Sequence, residues 1–307
     1  MKLTDWLLRG KPNVFVTEER LREALRHNPP DAPVLESLRR SCLVSTGTVD
    51  GHEVITLTPR SGPMGTEVIY LHGGVYVRPL VSAHWRIVED LVEDLIRRTG
   101  ATFVVPLYGL APRYTADDAY RFLDTGYERV VQRAGDRPVF LAGDSCGAGL
   151  SVGLAIHCRN EGLRPPTGLI LFSPWLDVTM TNPGIPALTK LDPMLAPAGF
   201  VAAGQDWAGG RSATDPLVGP LHDTLEKLPP ITIHQRPRHP PARRREVRRQ
   251  GTSRRHPRRP ARLAHRHSRL RRGGPDPRSP PGPPRCGGPH QAERARLIIT
   301  GRAEPRA

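Results

Sequence analysis

Two short stretches of this chain hold residue types that can do chemistry together. The first is Gly143-Asp144-Ser145-Cys146-Gly147, a serine between glycines at the G-x-S-x-G spacing. It follows the apolar run Pro138–Ala142 and precedes a helical pattern from about Gly147 to Asn160. A serine at such a strand–turn–helix junction projects its Oγ from the carboxyl edge of a sheet, where it can serve as a nucleophile in acyl transfer. Side chains at positions 143 and 147 would collide with the neighbouring strand and helix. The helix N-terminus behind Ser145 favours the negative charge that develops on an acyl oxygen. The second stretch is His72-Gly73-Gly74, which closes the run Glu67–Leu71. Glycines there let the N–H groups of Gly73 and Gly74 approach a substrate oxyanion, and the Cys146 N–H would supply a third donor. Cys146 itself reads as a small packed residue whose amide matters, rather than as a reactive thiol. Either motif alone is a common turn. The two together, each ending a strand, point to one catalytic pocket.

The elements that must position these residues are legible around them. Short apolar runs recur at Glu53–Leu57, Glu67–His72, Thr102–Leu107, Pro138–Ala142, Gly168–Phe172 and Pro230–His234. Most are continuous rather than alternating, as strands covered on both faces are. Helical patterns separate them. His84–Arg98 places Trp85, Val88, Leu91, Val92 and Leu95 on one face, and Thr115–Arg133 opens with Asp117 and Asp118 and stops at Gly135. Negative charge in the first turn and glycine after the last suit a helix. This alternation predicts a mostly parallel sheet with helices on both faces. Thr17-Glu18-Glu19 opens a short amphipathic helix in residues 1–45, read as a lid or cap segment. Pro183–Gly210, broken by Pro183, Pro186, Pro193 and Pro197, reads as irregular, and such pieces often cover a pocket.

At this point residues 1–235 resemble a known family, the bacterial carboxylesterase branch of the hormone-sensitive-lipase α/β-hydrolases. His72-Gly73-Gly74, Tyr108-Gly109-Leu110-Ala111-Pro112, Gly143–Gly147, Ser173-Pro174-Trp175-Leu176-Asp177, Asp215-Pro216-Leu217-Val218 and Leu228-Pro229-Pro230 carry the likeness. Val75 stands where many members have a third glycine, and Cys146 and Ala148 replace the usual alanine and glycine beside the serine. The resemblance implies an α/β-hydrolase fold with an N-terminal helical lid. It implies hydrolysis of small carboxylic esters through an acyl-enzyme on Ser145, with no metal or cofactor.

The rest of a catalytic triad does not follow. The resemblance places an acid just after the strand ending at His234 and a histidine further on, but the chain reads Gln235-Arg236-Pro237-Arg238-His239-Pro240 and has no acid before Glu246. His256, His265, His267 and His290 are scattered through Arg/Pro sequence with no apolar frame, so the acid and base are unassigned. Charge marks the same seam. Of the chain's +15, residues 236–307 hold 22 arginines, no lysine and four acids, a net of +18 that leaves −3 for residues 1–235. This second segment has 13 prolines, 7 glycines and no aromatic residue, and it reads as a disordered or non-native tail.

Three rival readings follow. An Arg-rich tail could contact nucleic acid through Arg243-Arg244-Arg245 and Arg248-Arg249, but it has no aromatic to stack on bases. An inactive hydrolase-like scaffold would keep Ser145 and lack the acid and base. A shifted reading frame explains the composition itself, because Arg, Pro, Gly and Ala are what a GC-rich gene yields out of frame. One synonymous spelling of Arg238–Val247, moved by one nucleotide, reads Asp-Ile-Leu-Leu-Pro-Asp-Ala-Gly-Lys-Phe, an acid followed by apolar residues where the triad needs them. The four cysteines (Cys42, Cys146, Cys158, Cys286) show no paired spacing, no apolar run spans a bilayer, and no secretory leader is visible at Met1–Trp6, so a cytoplasmic setting with no metal site is expected. The frame reading is tested by the gene sequence across codons 230–240. It predicts an alternative frame with Asp and Leu at those codons, and the absence of one overturns it.

Overall fold

A computed structural model describes residues 13–62, 65–189, 195–235 and 297–300. Eight strands form one sheet in the order β1-β2-β4-β3-β5-β6-β7-β8. They are β1 (Cys42–Val49), β2 (His52–Pro59), β3 (Glu67–Leu71), β4 (Thr102–Pro106), β5 (Val139–Asp144), β6 (Gly168–Phe172), β7 (Ile231–His234) and β8 (Leu297–Thr300). β1–β2 and β2–β4 are antiparallel, and every other pairing is parallel. All five residues of β3 and of β4 are buried, which accounts for their unbroken apolar runs.

Helices cover both faces. α1 (Glu18–Leu25) and α2 (Glu36–Ser41) precede the sheet, α3 (Ser82–Thr99) follows β3, α4 (Ala116–Ala134) follows β4, and α5 (Ser145–Asn160) follows β5. After β6 come α6 (Ile185–Thr189) and α7 (Pro197–Ala208). One apolar cluster joins α4, α5 and α7 to one side of the sheet through Phe122, Leu141, Leu154 and Trp207. A second joins α2 and α3 to the other side through Leu38, Trp85, Val88 and Phe103. α4 is opened by a capping box, with Asp118 accepting from the Thr115 N–H at 2.9 Å, and is closed by Gly135.

Two expectations need correction. Residues 42–45 belong to β1, so the cap segment ends before Cys42 rather than at 45. The missed signal is Asp50-Gly51, whose positive φ values of 46° and 81° make the two-residue hairpin turn that pairs Val49 with His52. The stretch 183–210 contains the twelve-residue helix α7, because Pro197 starts a helix at a position where its missing N–H costs nothing. At the far edge of the sheet, Ile231 to His234 of β7 pair in parallel with Leu297 to Thr300 of β8. β8 is the described part of the tail, and an average over 236–307 hides its β-branched run Leu297-Ile298-Ile299-Thr300. The other tail residues, His256, His265, His267 and His290 among them, lie outside the described residues.

Candidate active site

β5 passes into α5 with no intervening residue, so the chain turns at Ser145 itself. Ser145 is half-buried and has φ +51°, a left-handed conformation that non-glycine residues seldom adopt. The flanking glycines make this turn possible. A Cβ on Gly143 would lie 2.6 Å from the Gly147 carbonyl, and a Cβ on Gly147 would run into the carbonyl oxygens of Leu71 and His72. Helix α5 can therefore press directly on the end of β3. The Ser145 carbonyl accepts the Trp175 N–H at 2.9 Å, which ties the loop after β6 to the same point. Cys146 lies in the first turn of α5, where amides have no intrahelical acceptor.

The loop after β3 runs beside this turn. Gly74 has φ +125°, and a Cβ there would meet the Arg78 carbonyl oxygen at 2.5 Å. Val75 and Tyr76 also take positive φ, 57° and 61°. Neighbours hold this conformation in place. The Tyr76 N–H points to Cys146 Sγ at 3.1 Å, the Tyr76 ring stacks on Trp207 of α7 at 4.1 Å, and the Tyr76 carbonyl accepts the Ala111 N–H. Burial pushes the Cys146 thiol up to about 12, so the thiol is an inert anchor at neutral pH. The cap reaches the same aromatic group, because Phe15 packs edge-on against Phe200 of α7, 5.3 Å away, and Phe200 packs against Trp175. Arg22 of α1 pairs with Asp206 of α7.

Beneath the loop lies a polar cluster that motif reading passed over. Asp144 is 7% exposed, and its Oδ1 accepts the Tyr70 hydroxyl at 2.6 Å and the Gly73 N–H at 2.9 Å. Its Oδ2 lies 3.7 Å from His84 Nε2. Because His84 Nδ1 accepts the Val81 N–H at 2.9 Å, the ring carries its proton on Nε2, facing the carboxylate. The expectation for Gly73 is thereby corrected. Its amide is already held by Asp144, so it fastens the loop instead of facing a substrate. The signal was present in the motif itself, at the position between Gly143 and Ser145.

His72 belongs to the same cluster and is 1% exposed. Its Nδ1 donates to the Gly73 carbonyl at 2.7 Å, and its ring stacks on Tyr108 at 4.5 Å. Burial, and next the neighbouring His84, push its pKa down to about 3 against a pull upward from the Gly73 carbonyl. It is a neutral structural ring and not the missing base. Among the described residues, no histidine or carboxylate hydrogen-bonds to Ser145 Oγ, no cluster of His, Cys, Asp or Glu could hold a metal, and no helix is long and apolar enough to cross a membrane. The arginines of the nucleic-acid reading lie outside the described residues.

Known proteins were compared with the chain. A family model for the alpha/beta hydrolase fold matches residues 68–247, past the compositional seam at 235. A triacylglycerol lipase of Mycobacterium tuberculosis is 31% identical over 211 residues, which is 68% of this chain and 42% of that protein. An esterase of Acinetobacter venetianus is 30% identical over 168 residues, 54% of each chain. The chain thus spans about half the length of the curated relatives it matches. Among solved structures, EstE5 superposes with a TM-score of 0.57 at 27% identity, over 75% of this chain and 80% of that one. EstE7, described as a homologue of hormone-sensitive lipase from a metagenome library, shares the fold with a TM-score of 0.59 at 24% identity, over 77% and 78%.

The buried His72 sets an acid limit. The unfolded chain takes up a proton near pH 6.5 that the folded chain refuses until about pH 3, so between these values more protons bind to the unfolded state and stability falls with acidification. The slope from this residue approaches about 1.4 kcal/mol per pH unit. His72→Asn, whose amide can still donate to Gly73, should flatten that slope in urea midpoints measured from pH 6.5 down to 4. Parallel slopes for the two proteins would contradict the assignment.

Proposed function

Because the chain belongs to the hormone-sensitive-lipase-like α/β-hydrolase family, we propose that it is a serine carboxylic-ester hydrolase working through an acyl-enzyme on Ser145. The observation that carries this reading is the left-handed turn at Ser145, set between the N-terminus of α5 and the loop His72–Val77. Ser145 Oγ attacks the ester carbonyl and the alcohol leaves. Water then attacks the acyl-enzyme and the carboxylic acid is released. The developing oxyanion is stabilised by the amides of Gly74 and Cys146, with the positive end of α5 behind them. Gly73, bound to Asp144, keeps that loop in register. Neither metal nor organic cofactor enters the scheme, and the substrate is a small ester.

The acid and base that would relay the proton have no counterpart among the described residues. An intact oxyanion site without them retains an acceleration of about 10³–10⁴ over water in a related triad system. We therefore assign weak activity to this chain. A reducing, cytoplasmic setting is part of the same reading, and the free thiols of Cys42, Cys146 and Cys158 support it.

A short-chain nitrophenyl ester assay tests the proposal. The wild type should show slow turnover that Ser145→Ala removes. Equal turnover in both proteins would overturn the role of Ser145. Turnover of ordinary esterase size, lost in Ser145→Ala, would mean that a complete triad is formed.

A further inference from the structure

We propose that the cavity between the β1–β2–β4 edge of the sheet and α4 binds an aliphatic monocarboxylate. The cavity has a volume of about 230 Å³ and shares no lining residue with Ser145, its flanking glycines or the loop after β3. Val54, Ile69, Val104, Phe122, Val130 and Leu154 form its apolar walls. Sites for small organic molecules are mostly apolar hollows of this kind with a few polar groups at one end.

Its glycines set this space apart from a packing fault. Gly47 of β1 and Gly126 of α4 both line it, and a Cβ added to either would meet nothing within 4 Å. Elsewhere in the fold Gly143 and Gly147 are needed because backbones touch there. No such contact requires Gly47 or Gly126, although glycine weakens both a strand and a helix interior. Their effect is to leave an apolar space open.

The rim supplies the polar end. Arg129, Arg133 and Arg137 recur every fourth residue along α4 and just beyond it. The buried Glu67 carboxylate pairs with two of them, Arg133 at 2.7 Å and Arg137 at 3.2 Å. The exposed Arg129 reaches the Thr48 carbonyl through a long bond of 3.4 Å. Of the two arginines that line the cavity, Arg133 is paired with Glu67 and Arg129 meets a carbonyl, which leaves positive charge at the mouth beside Ser45, Thr46 and Thr48. An alkyl chain would fill the cavity while its carboxylate met Arg129. A water's share of liquid volume is about 30 Å³, so the space holds on the order of eight methylene-sized groups. Octanoate is the matching probe.

Calorimetric titration of the full chain with sodium octanoate tests this without requiring turnover, so its outcome is separate from that of the esterase reading. One site per chain is expected, retained in Ser145→Ala. Gly126→Leu should fill the cavity and abolish binding. Arg129→Gln should weaken octanoate about tenfold while leaving octanol unchanged. Wild-type affinity in a folded Gly126→Leu protein, or no octanoate binding by the wild type, would overturn the proposal. If Gly126→Leu does not fold, Arg129→Gln decides: an equal loss for octanoate and octanol, or no loss for either, would also overturn it.

Discussion

The Asp144 carboxylate is the interaction on which the rest of the site depends. It closes β5 one residue before Ser145 and holds the Gly73 N–H at the end of β3. One side chain therefore joins the turn that carries Ser145 to the loop that faces it. A buried carboxylate is costly unless its oxygens are satisfied, and here the Tyr70 hydroxyl, the Gly73 amide and the Nε2–H side of His84 surround it. The parallel register of β3 and β5, with Leu71 opposite Gly143, sets the two strand ends level and makes this contact available.

Backbone strain gathers around that contact. Ser145, Val75 and Tyr76 all take positive φ, at a cost of about 1–3 kcal/mol each. Packing on three sides offsets it. Trp207 stacks on Tyr76 from above, Cys146 Sγ receives the Tyr76 amide from within α5, and the Tyr108 hydroxyl fixes the His72 carbonyl from the neighbouring loop. The cap takes part in this through α7, since the helix that carries Trp207 is itself clasped by Phe15 and Arg22 from the N-terminal segment. Cap, loop and Ser145 turn are thus mechanically one unit.

The parallel core was legible because its strands are buried on both faces and read as unbroken apolar runs. Ser145 and Gly74 were legible because their turns demand glycine at fixed offsets. What escaped was governed by finer chemistry. β1 is exposed over most of its length and carries Ser, Thr and Gly, so only its Asp50-Gly51 turn announces it. α7 begins with a proline, which a breaker rule misreads. Asp144 and His84 act through contacts between residues distant in sequence, and no local pattern reveals which amide a carboxylate will bind. For that reason Gly73 was read as facing a substrate when it faces a carboxylate.

The central claim is that Asp144 holds the loop after β3 against the turn at Ser145, the proposed oxyanion site and nucleophile. Its most direct test is the rate at which a fluorophosphonate modifies the protein, followed by intact mass and peptide mapping, for the wild type and a folded Asp144→Ala variant, which has no acceptor for the Gly73 N–H. The account predicts a single adduct on Ser145, formed at least about tenfold more slowly when the carboxylate no longer fixes Gly73. Equal rates, or an adduct on any other residue, would contradict it.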